Sequence, residues 1–345
     1  MARRVSVVPH NPEWRRGFDE AAQEILQAWG DEVVQVHHIG STAIPALAAK
    51  PIIDILVEVH DVARLDGLNE NMACFGYQAM GEFGIPGRRF FIRGGDENRS
   101  HHVHAFNAGC PDVVRHLAFR DFLTAHPARA RQYGDLKVAL ARAHPSDIAA
   151  YIAGKHSLVA SLEEQALAWR QAGGQVIRTL RLHLQALTRT ELGQYAREPE
   201  ELARELGLRM TTALRSPDLE RALALKLEKM NKAPETEHPW YTYWLMVLDE
   251  RPFGAGLIGF KGSPDAHGQV EIGYGTDAAV RGRGYTTEAV RALISWAFCD
   301  PRCTTITATH VLKDNISSIR VLQKVGMQVV EEDEHTLSWI IRRKD

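Results

Sequence analysis

The chain lacks any apolar run approaching the ~20 residues that a membrane-spanning helix needs. It also lacks an excess of charge of either sign. Its 41 Lys and Arg stand against 43 Asp and Glu, for a net charge of −2 at pH 7. No global field therefore draws it to nucleic acid or to an anionic membrane. Cysteine is scarce. The four present are Cys74, Cys110, Cys299 and Cys303, none forms a C-x-x-C, and the last two are separated by three residues. That is the pattern of free thiols in a reducing compartment, so a cytoplasmic protein is expected. Internal repeats and low-complexity tracts are missing. The opening Met1-Ala2-Arg3-Arg4-Val5 has no apolar stretch long enough for a signal peptide. What remains is a globular composition, 45% hydrophobic and 24% charged. A length of 345 residues exceeds one ordinary core and fits two domains of similar size.

The division is legible near residue 173. Over 157–171, Leu158, Leu162, Ala166 and Trp169 recur near the helical period. Gly173-Gly174 follows where a left-handed C-cap falls. A strand-like alternation, Leu180-Arg181-Leu182-His183-Leu184, then opens. Domains of 1–172 and 173–345 are expected, with no long linker.

In the second domain, strands are expected over 240–248, 256–260 and 270–274, the last two antiparallel to each other. A helix over 287–298, a strand over 304–308, a helix over 315–324 and a last strand near 336–341 complete it. Between the third strand and the first helix lies Arg281-Gly282-Arg283-Gly284-Tyr285-Thr286. Two glycines let backbone approach a ligand, and the helix behind them aims its free N–H groups into the loop. That combination suits a diphosphate.

The order strand, R-G-x-G-x-x loop, helix, strand, N-x-x-S helix resembles the GNAT superfamily of acetyl-CoA-dependent N-acetyltransferases. The run Asp314-Asn315-Ile316-Ser317-Ser318 through Val321-Leu322-Gln323-Lys324-Val325-Gly326-Met327 resembles the signature of its RimJ/RimL-type members. The resemblance covers 176–345. It implies a mostly antiparallel twisted sheet flanked by helices, with acetyl-CoA as co-substrate and an amine as acceptor. It gives backbone N–H groups from Arg281 through Thr286 the CoA pyrophosphate. Thr286 stands where the family has Gly or Ala, so its hydroxyl must either donate or crowd the phosphates. Ser318 matches the serine that protonates or hydrogen-bonds the departing thiolate. Leu322 stands where other members carry a tyrosine. Asn315 would anchor the helix and the pantetheine arm. Glu271, sharing a strand face with Gly273 and Gly275, is either the group that takes the amine's proton through water or an exposed strand glutamate. In Trp240-Tyr241-Thr242-Tyr243-Trp244, one face is expected in the core. The other, with His238 before it, is either more core or the wall of an acceptor pocket.

In the first domain, a strand over 33–36 leads into His38-Ile39-Gly40-Ser41-Thr42-Ala43-Ile44-Pro45. Lys50-Pro51-Ile52-Ile53-Asp54-Ile55 follows, opening a buried strand. His101-His102-Val103-His104 alternates again, and 113–159 is helical, with Tyr151 and Lys155 on a polar-aromatic face. These segments, with Pro86-Gly87-Arg88-Arg89-Phe90-Phe91 and Phe119-Arg120-Asp121-Phe122-Leu123, resemble the GrpB family, also catalogued as UPF0157, over about 5–168. The resemblance implies a nucleotidyltransferase-like mixed sheet with helices. It also implies a Gly-Ser turn that grips nucleotide phosphates, here Gly40-Ser41, and two carboxylates two residues apart for Mg²⁺. Asp54 fits the first carboxylate, but Leu56 occupies the second place. Glu58 lies ~13 Å farther along the strand, beyond the ~4 Å ion spacing of two-metal transfer. His102 and His104 either join Asp54 as divalent-metal ligands or are hydrogen-bonded histidines lining a polar cleft. Lys50, Arg88 and Arg89 either give that cleft an anion preference or are solvated charges.

The expectation is an α+β chain acting as an N-acetyltransferase on a protein N-terminus or small amine. A metal-dependent nucleotidyl- or phosphotransferase in the first domain is the alternative, and a non-catalytic CoA-binding regulator a third.

Overall fold

The computed structural model describes residues 5–95, 98–210 and 215–344, so of the opening Met1-Ala2-Arg3-Arg4-Val5 only Val5 is described. The chain divides into two compact units between Leu167 and Ala168. Each mixes helices with one main sheet, the α+β class expected. Among the described residues no helix is long and apolar enough to cross a membrane.

The first unit opens with α1 (Glu13–Trp29), β1 (Val33–Ile39) and β2 (Ile53–Val59). Next come α2 (Asn69–Cys74), β3 (Tyr77–Ala79), β4 (Arg89–Arg93) and β5 (His101–Asn107). Three helices follow, α3 (Pro111–Ala125), α4 (Pro127–Ala143) and α5 (Ile148–Gln171), the last crossing the division between units. The strands order as β1-β2-β5-β4-β3, with β2 and β5 parallel and the other neighbours antiparallel. On α1, Trp14, Phe18, Ala21, Ile25 and Ala28 recur at three- and four-residue steps, so one stripe is buried. That stripe packs with Ile53, Ile55, Val57 and Val59 of β2 and with Val103 and Ala105 of β5. Alternation then sends Asp54, Leu56 and Glu58, with His102, His104 and Phe106, to the opposite face. The helical stretch expected over 113–159 is broken where His126 precedes Pro127 and at His144-Pro145. A residue before proline is driven out of the helical region.

The second unit begins with β6 (Gln175–Arg178) and β7 (Leu182–Ala186). It continues through α6 (Arg189–Arg197), α7 (Pro199–Leu206), β8 (Arg209–Met210), α8 (Pro217–Lys232) and α9 (His238–Tyr241). Then come β9 (Trp244–Leu248), β10 (Phe253–Phe260), β11 (Gln269–Thr276) and α10 (Tyr285–Phe298). The unit ends with β12 (Thr305–Leu312), α11 (Ile316–Lys324), β13 (Gln328–Glu332) and β14 (Thr336–Arg342). The strand order is β13-β14-β12-β11-β10-β9-β7-β6, with β8 added to β10. Among the described residues of this sheet, only β11–β12 and β8–β10 are parallel. Every residue of β9 is buried, because both faces are covered. Trp244, Met246 and Leu248 pack with Ala289, Val290 and Leu293 of α10. Leu245 and Val247 pack with Leu192, Leu202 and Leu223 of α6, α7 and α8.

The strand expected over 240–248 is shorter than its aromatic alternation suggested. Pro239 has the fixed φ suited to a first helical turn, and α9 takes up Trp240 and Tyr241. The tie across this bend comes from α8. Lys226, 7% exposed, donates its ammonium to the carbonyls of Tyr241 and Thr242, each at 3.1 Å, and Phe260 at 2.6 Å. The alternation expected from Leu180 also starts later. Leu180 is 84% exposed in the turn between β6 and β7, which leaves Arg181 on the same turn.

Candidate functional site

β11 and β12 pair only at Gln269↔Thr305, Val270↔Ile306 and Glu271↔Thr307. Beyond these, β11 follows β10 to Thr276 and β12 follows β14 to Leu312. The sheet parts into a wedge whose apex is the Glu271–Thr307 pair. Backbone groups facing the wedge have no strand partner across it, and unpaired N–H and C=O groups seek one. The β12 wall bulges between Ala308 and Val311, where His310 holds a φ of 53°.

Glu271 stands at that apex. Its Oε1 accepts from the Thr309 hydroxyl at 2.6 Å and lies 2.6 Å from the Lys261 ammonium. Val270 and Ile272 on either side point into the core shared with α10, so Glu271 faces away from it. The α11 side of the wedge carries Ser318. Its N–H donates to Asn315 Oδ1 at 3.2 Å, so Asn315 caps α11. The Tyr274 hydroxyl, pushed up by burial, donates to the Ser318 carbonyl at 3.4 Å. Tyr274 was not among the sequence candidates.

The 281–286 loop closes the wide end. Gly282 and Gly284 hold φ of 75° and 82°, left-handed values that favour glycine. Gly284 is the N-cap of α10, so the first free N–H groups of that helix open onto the loop. Arg281 turns back, its Nε donating to the Thr276 carbonyl at 3.0 Å. The Thr286 hydroxyl sits 2.7 Å from that of Thr276, tucked against β11. Beneath the loop, Arg181 donates from Nη1 to the Arg283 carbonyl at 2.9 Å and lies over the Tyr285 ring. Glu288 holds Arg181 in turn, accepting from its Nε at 2.7 Å, from its backbone N–H at 2.8 Å and from Thr179 at 2.6 Å. Burial pushes the Glu288 carboxyl up, but these donors outweigh it and hold it below the usual range. Arg181 was invisible as a site residue in sequence, because only the hairpin brings it under the loop.

In the aromatic run His238, Trp240 and Trp244 contribute packing, while Tyr241 and Tyr243 are half-buried. His238 is 4% exposed, with Nε2 at 2.9 Å from the Met230 carbonyl and 3.3 Å from that of Ala233. Trp240 and Trp244 are buried in the core.

In the first unit, Asp54 pairs in register with His102, and Nδ1 of His102 lies 3.0 Å from Asp54 Oδ1. Burial pushes the Asp54 carboxyl up, but the His102 hydrogen bond and the nearby imidazoles hold it low. His104 is pushed down to about 3 by burial, so it stays neutral, and Arg88 Nη1 lies 3.4 Å from its Nδ1. Asp54, His102 and His104 offer ligand atoms within 4.8 Å of one another. Gly40 holds φ 67°, and a Cβ there would sit 2.4 Å from Asp54 Oδ2, so only glycine fits between turn and carboxylate. Ser41 Oγ accepts from Lys137 Nζ at 2.8 Å. Lys137 is 2% exposed and is pushed down to about 7 by burial. Lys50 and Lys155 both lie over the Tyr151 ring, at 4.2 and 5.7 Å from its centroid. Lys137 was missed in sequence because one lysine in a mixed helix announces nothing. Arg89 pairs with Asp66 at 2.6 Å, outside this group.

A two-metal carboxylate centre does not fit these residues. Leu56 is fully buried, and Glu58 is held by His37 at 2.8 Å and the Gly109 N–H at 2.9 Å.

The parted sheet and its loop are those of an acyltransferase unit. The family model described as acetyltransferase (GNAT) domain matches residues 181–328, and the model described as GrpB protein matches residues 4–165. The chain is 33% identical over 159 residues to the glutamate-rich protein GrpB of Alkalihalophilus pseudofirmus, covering 45% of this chain and 91% of that one. The chain belongs to the GrpB family and carries a GNAT acetyltransferase domain after its GrpB domain. It is 44% identical over 169 residues to the UPF0157 protein YqkA of Bacillus subtilis, which is 49% of each chain, so it spans about half the length of that relative. It is also 28% identical over 165 residues to the uncharacterized N-acetyltransferase YjdG of Bacillus subtilis, 48% of this chain and 96% of that one. Among solved structures, the conserved protein GrpB from Enterococcus faecalis is 42% identical, with a TM-score of 0.46, covering 48% of this chain and 99% of that one.

Proposed function

We propose that the second unit transfers an acetyl group from acetyl-CoA to an amine. The parting of β11 from β12 beside a glycine loop at a helix N-terminus carries this reading. Unpaired backbone groups along the wedge suit the amides of a pantetheine arm, and the N–H groups of 281–286 suit its diphosphate. Acetyl-CoA supplies the activated acyl group. Glu271, on the face away from α10, takes the proton that an ammonium acceptor must lose, through water. Its Oε1 is already held by Lys261 and Thr309, which fixes the carboxylate's direction. Ser318 offers its hydroxyl to the departing sulfur from the other face. The proton leaving the amine thus goes to Glu271, and the sulfur gains one from Ser318 or solvent.

Release of free thiol across a panel of amines and peptides tests this. Glu271→Gln is expected to lower kcat by about 100-fold with little change in KM for acetyl-CoA. Ser318→Ala is expected to cost about tenfold or less, because a thiolate leaves readily near neutral pH. Unchanged kcat in Glu271→Gln removes it from the chemistry.

A second reading concerns the first unit. Lys137 on Ser41, with Arg88, Lys50 and Lys155 nearby, favours an anionic ligand over a divalent cation held by Asp54, His102 and His104. Sulfate keeps its charge across neutral pH and is the probe. Its affinity for the full chain is expected to fall several-fold between pH 6 and pH 8.5, as Lys137 loses its proton near 7, and to be weak at both in Lys137→Met. Calorimetric titration showing equal affinity at the two pH values, or tighter binding of Mn²⁺ or Zn²⁺ than of sulfate, counts against it.

A further inference from the structure

Lys137 lies on α4 and is almost wholly buried. Among the described residues its side-chain nitrogen has no carboxylate partner, and its one hydrogen bond joins Ser41 Oγ at 2.8 Å. The Tyr133 ring, one turn earlier on the same helix, has its centroid 4.5 Å away. A buried ammonium has three donors to place and a full charge to compensate. One hydroxyl and one ring face leave most of that undone. The setting therefore suits the neutral amine, whose lone pair accepts a proton where the ammonium donates one. Burial, with Lys155 of α5 repelling and Asp54 of β2 attracting, brings Lys137 down to about 7.

Ser41 is the more accessible of the two. It is half-buried in the turn that follows β1, directly after Gly40 at φ 67°. Tyr133 sits beside the same serine. Burial pushes its phenol up and Ser41 tempers that push, so the phenol keeps its proton and serves as a donor. A hydroxyl on a neutral lysine, with a phenol as second donor, is the arrangement of an activated nucleophile. Phosphoryl transfer calls for divalent ions held by several carboxylates, and Leu56 and the engaged Glu58 deny this cleft that set. A carbonyl carbon is the target that fits.

We propose that Ser41 is a nucleophile and Lys137 its general base, and that the first unit cleaves a carboxylic ester with them. Ser41 Oγ bonds to the carbonyl carbon while its proton passes to Lys137 Nζ. The tetrahedral intermediate collapses, the bond from carbon to the alcohol oxygen breaks, and the alcohol leaves with the proton from Lys137. Tyr133 donates a hydrogen bond to the oxygen on which charge develops. Water then attacks the Ser41 ester and gives a proton to Lys137. The acid departs as Ser41 takes that proton back. Water is the sole co-reactant. Acetyl transfer in the second unit plays no part in this. Anion binding uses Lys137 as the ammonium, below pH 7, and ester cleavage uses the amine, above it.

Labelling of the full chain by a fluorophosphonate tests it, with the labelled residue located by peptide mass. Fluoride leaves as Ser41 Oγ bonds to phosphorus. A label on Ser41 is expected, at a rate that rises from pH 6 to pH 8.5 about a midpoint near 7. The charged and titratable groups facing Lys137 are Tyr133 on its own helix, Asp54 on β2 and Lys155 on α5. Lys155→Ala removes the neighbouring cation and is expected to move the midpoint upward. Lys137→Arg keeps a donor for Ser41 but never gives up its proton, so labelling is expected to slow by about 100-fold or more, as in Lys137→Met. Ser41→Ala is expected to take no label at this position and to lose hydrolysis of p-nitrophenyl acetate, with an unaltered unfolding midpoint. The pH profile is read on the unaltered chain, so the test stands even where a lysine variant fails to fold. A lysine that only grips a phosphate acts as the ammonium and gives no rise through pH 7. Absence of label on Ser41, a rate flat through pH 7, or undiminished labelling in Lys137→Arg each overturns the proposal.

Discussion

Gly284→Glu is expected to lower acetyl-CoA affinity by about 100-fold or more while leaving the second unit folded. The residue sits at φ 82° on the N-cap of α10. A side chain there costs about 1–2 kcal/mol of backbone strain. An acidic group at a helix N-terminus recovers part of that through the dipole. The same favourable position is what defeats the ligand, since the new carboxylate occupies the N–H groups that a diphosphate needs. Two unit charges 4 Å apart near a protein surface interact by about 4 kcal/mol. Salt and solvent in this exposed loop reduce that figure, and each 1.4 kcal/mol left is tenfold in affinity. Gly284→Asn separates strain from charge, because asparagine tolerates the left-handed region and brings no charge. It is expected to lose less than tenfold. Calorimetric titration with acetyl-CoA reads both variants, and unchanged affinity in Gly284→Glu sinks the loop assignment.

Lys226→Ala is expected to destabilise the second unit as much as the loss of a core aromatic would. The ammonium uses all its donors on the carbonyls of Tyr241, Thr242 and Phe260. The first two lie where α9 gives way to β9 and the third at the end of β10, so Lys226 ties the bend to the neighbouring strand. Truncation strands buried acceptors, each costing about 1–3 kcal/mol, and also leaves a void. A net loss of about 3–5 kcal/mol follows, or a fall of roughly 10 °C in the unfolding midpoint. Lys226→Met keeps the stem and loses only the donors, so its midpoint should fall between those of the alanine variant and the parent. Scanning calorimetry on the full chain resolves this. An unchanged midpoint in Lys226→Ala means water satisfies the carbonyls, and the tie assigned to Lys226 is then not structural.

What the sequence disclosed depended on how local each signal was. The loop at 281–286 and the Asn315 cap are complete within a few residues, so both are legible without any tertiary contact. Two-residue alternation puts Asp54, Leu56 and Glu58 on one face and His102 and His104 on one face, but that β2 and β5 are neighbours with Asp54 opposite His102 is decided by the sheet. The helices at 189–232 were passed over. Their charged faces blur the period, although Thr188 and Glu191 form a capping box that marks the start of α6. The 240–248 segment misled because aromatic alternation mimics a strand, while Pro239 was the local instruction that prevailed. Arg181, Lys137 and Lys226 were out of reach for a different reason. Each takes its partners from elements 40 or more positions away or from carbonyls with no side-chain signature.

The brief contact between β11 and β12 also bears on how the chain holds together. The sheet is in effect two leaves joined by three residue pairs. A molecule lodged between the leaves takes the place of a missing strand, and whatever binds the folded state alone shifts unfolding by mass action. At 100 times its Kd that amounts to about 2.7 kcal/mol. If acetyl-CoA is that molecule, heat tolerance of the second unit is expected to track the supply of coenzyme around it.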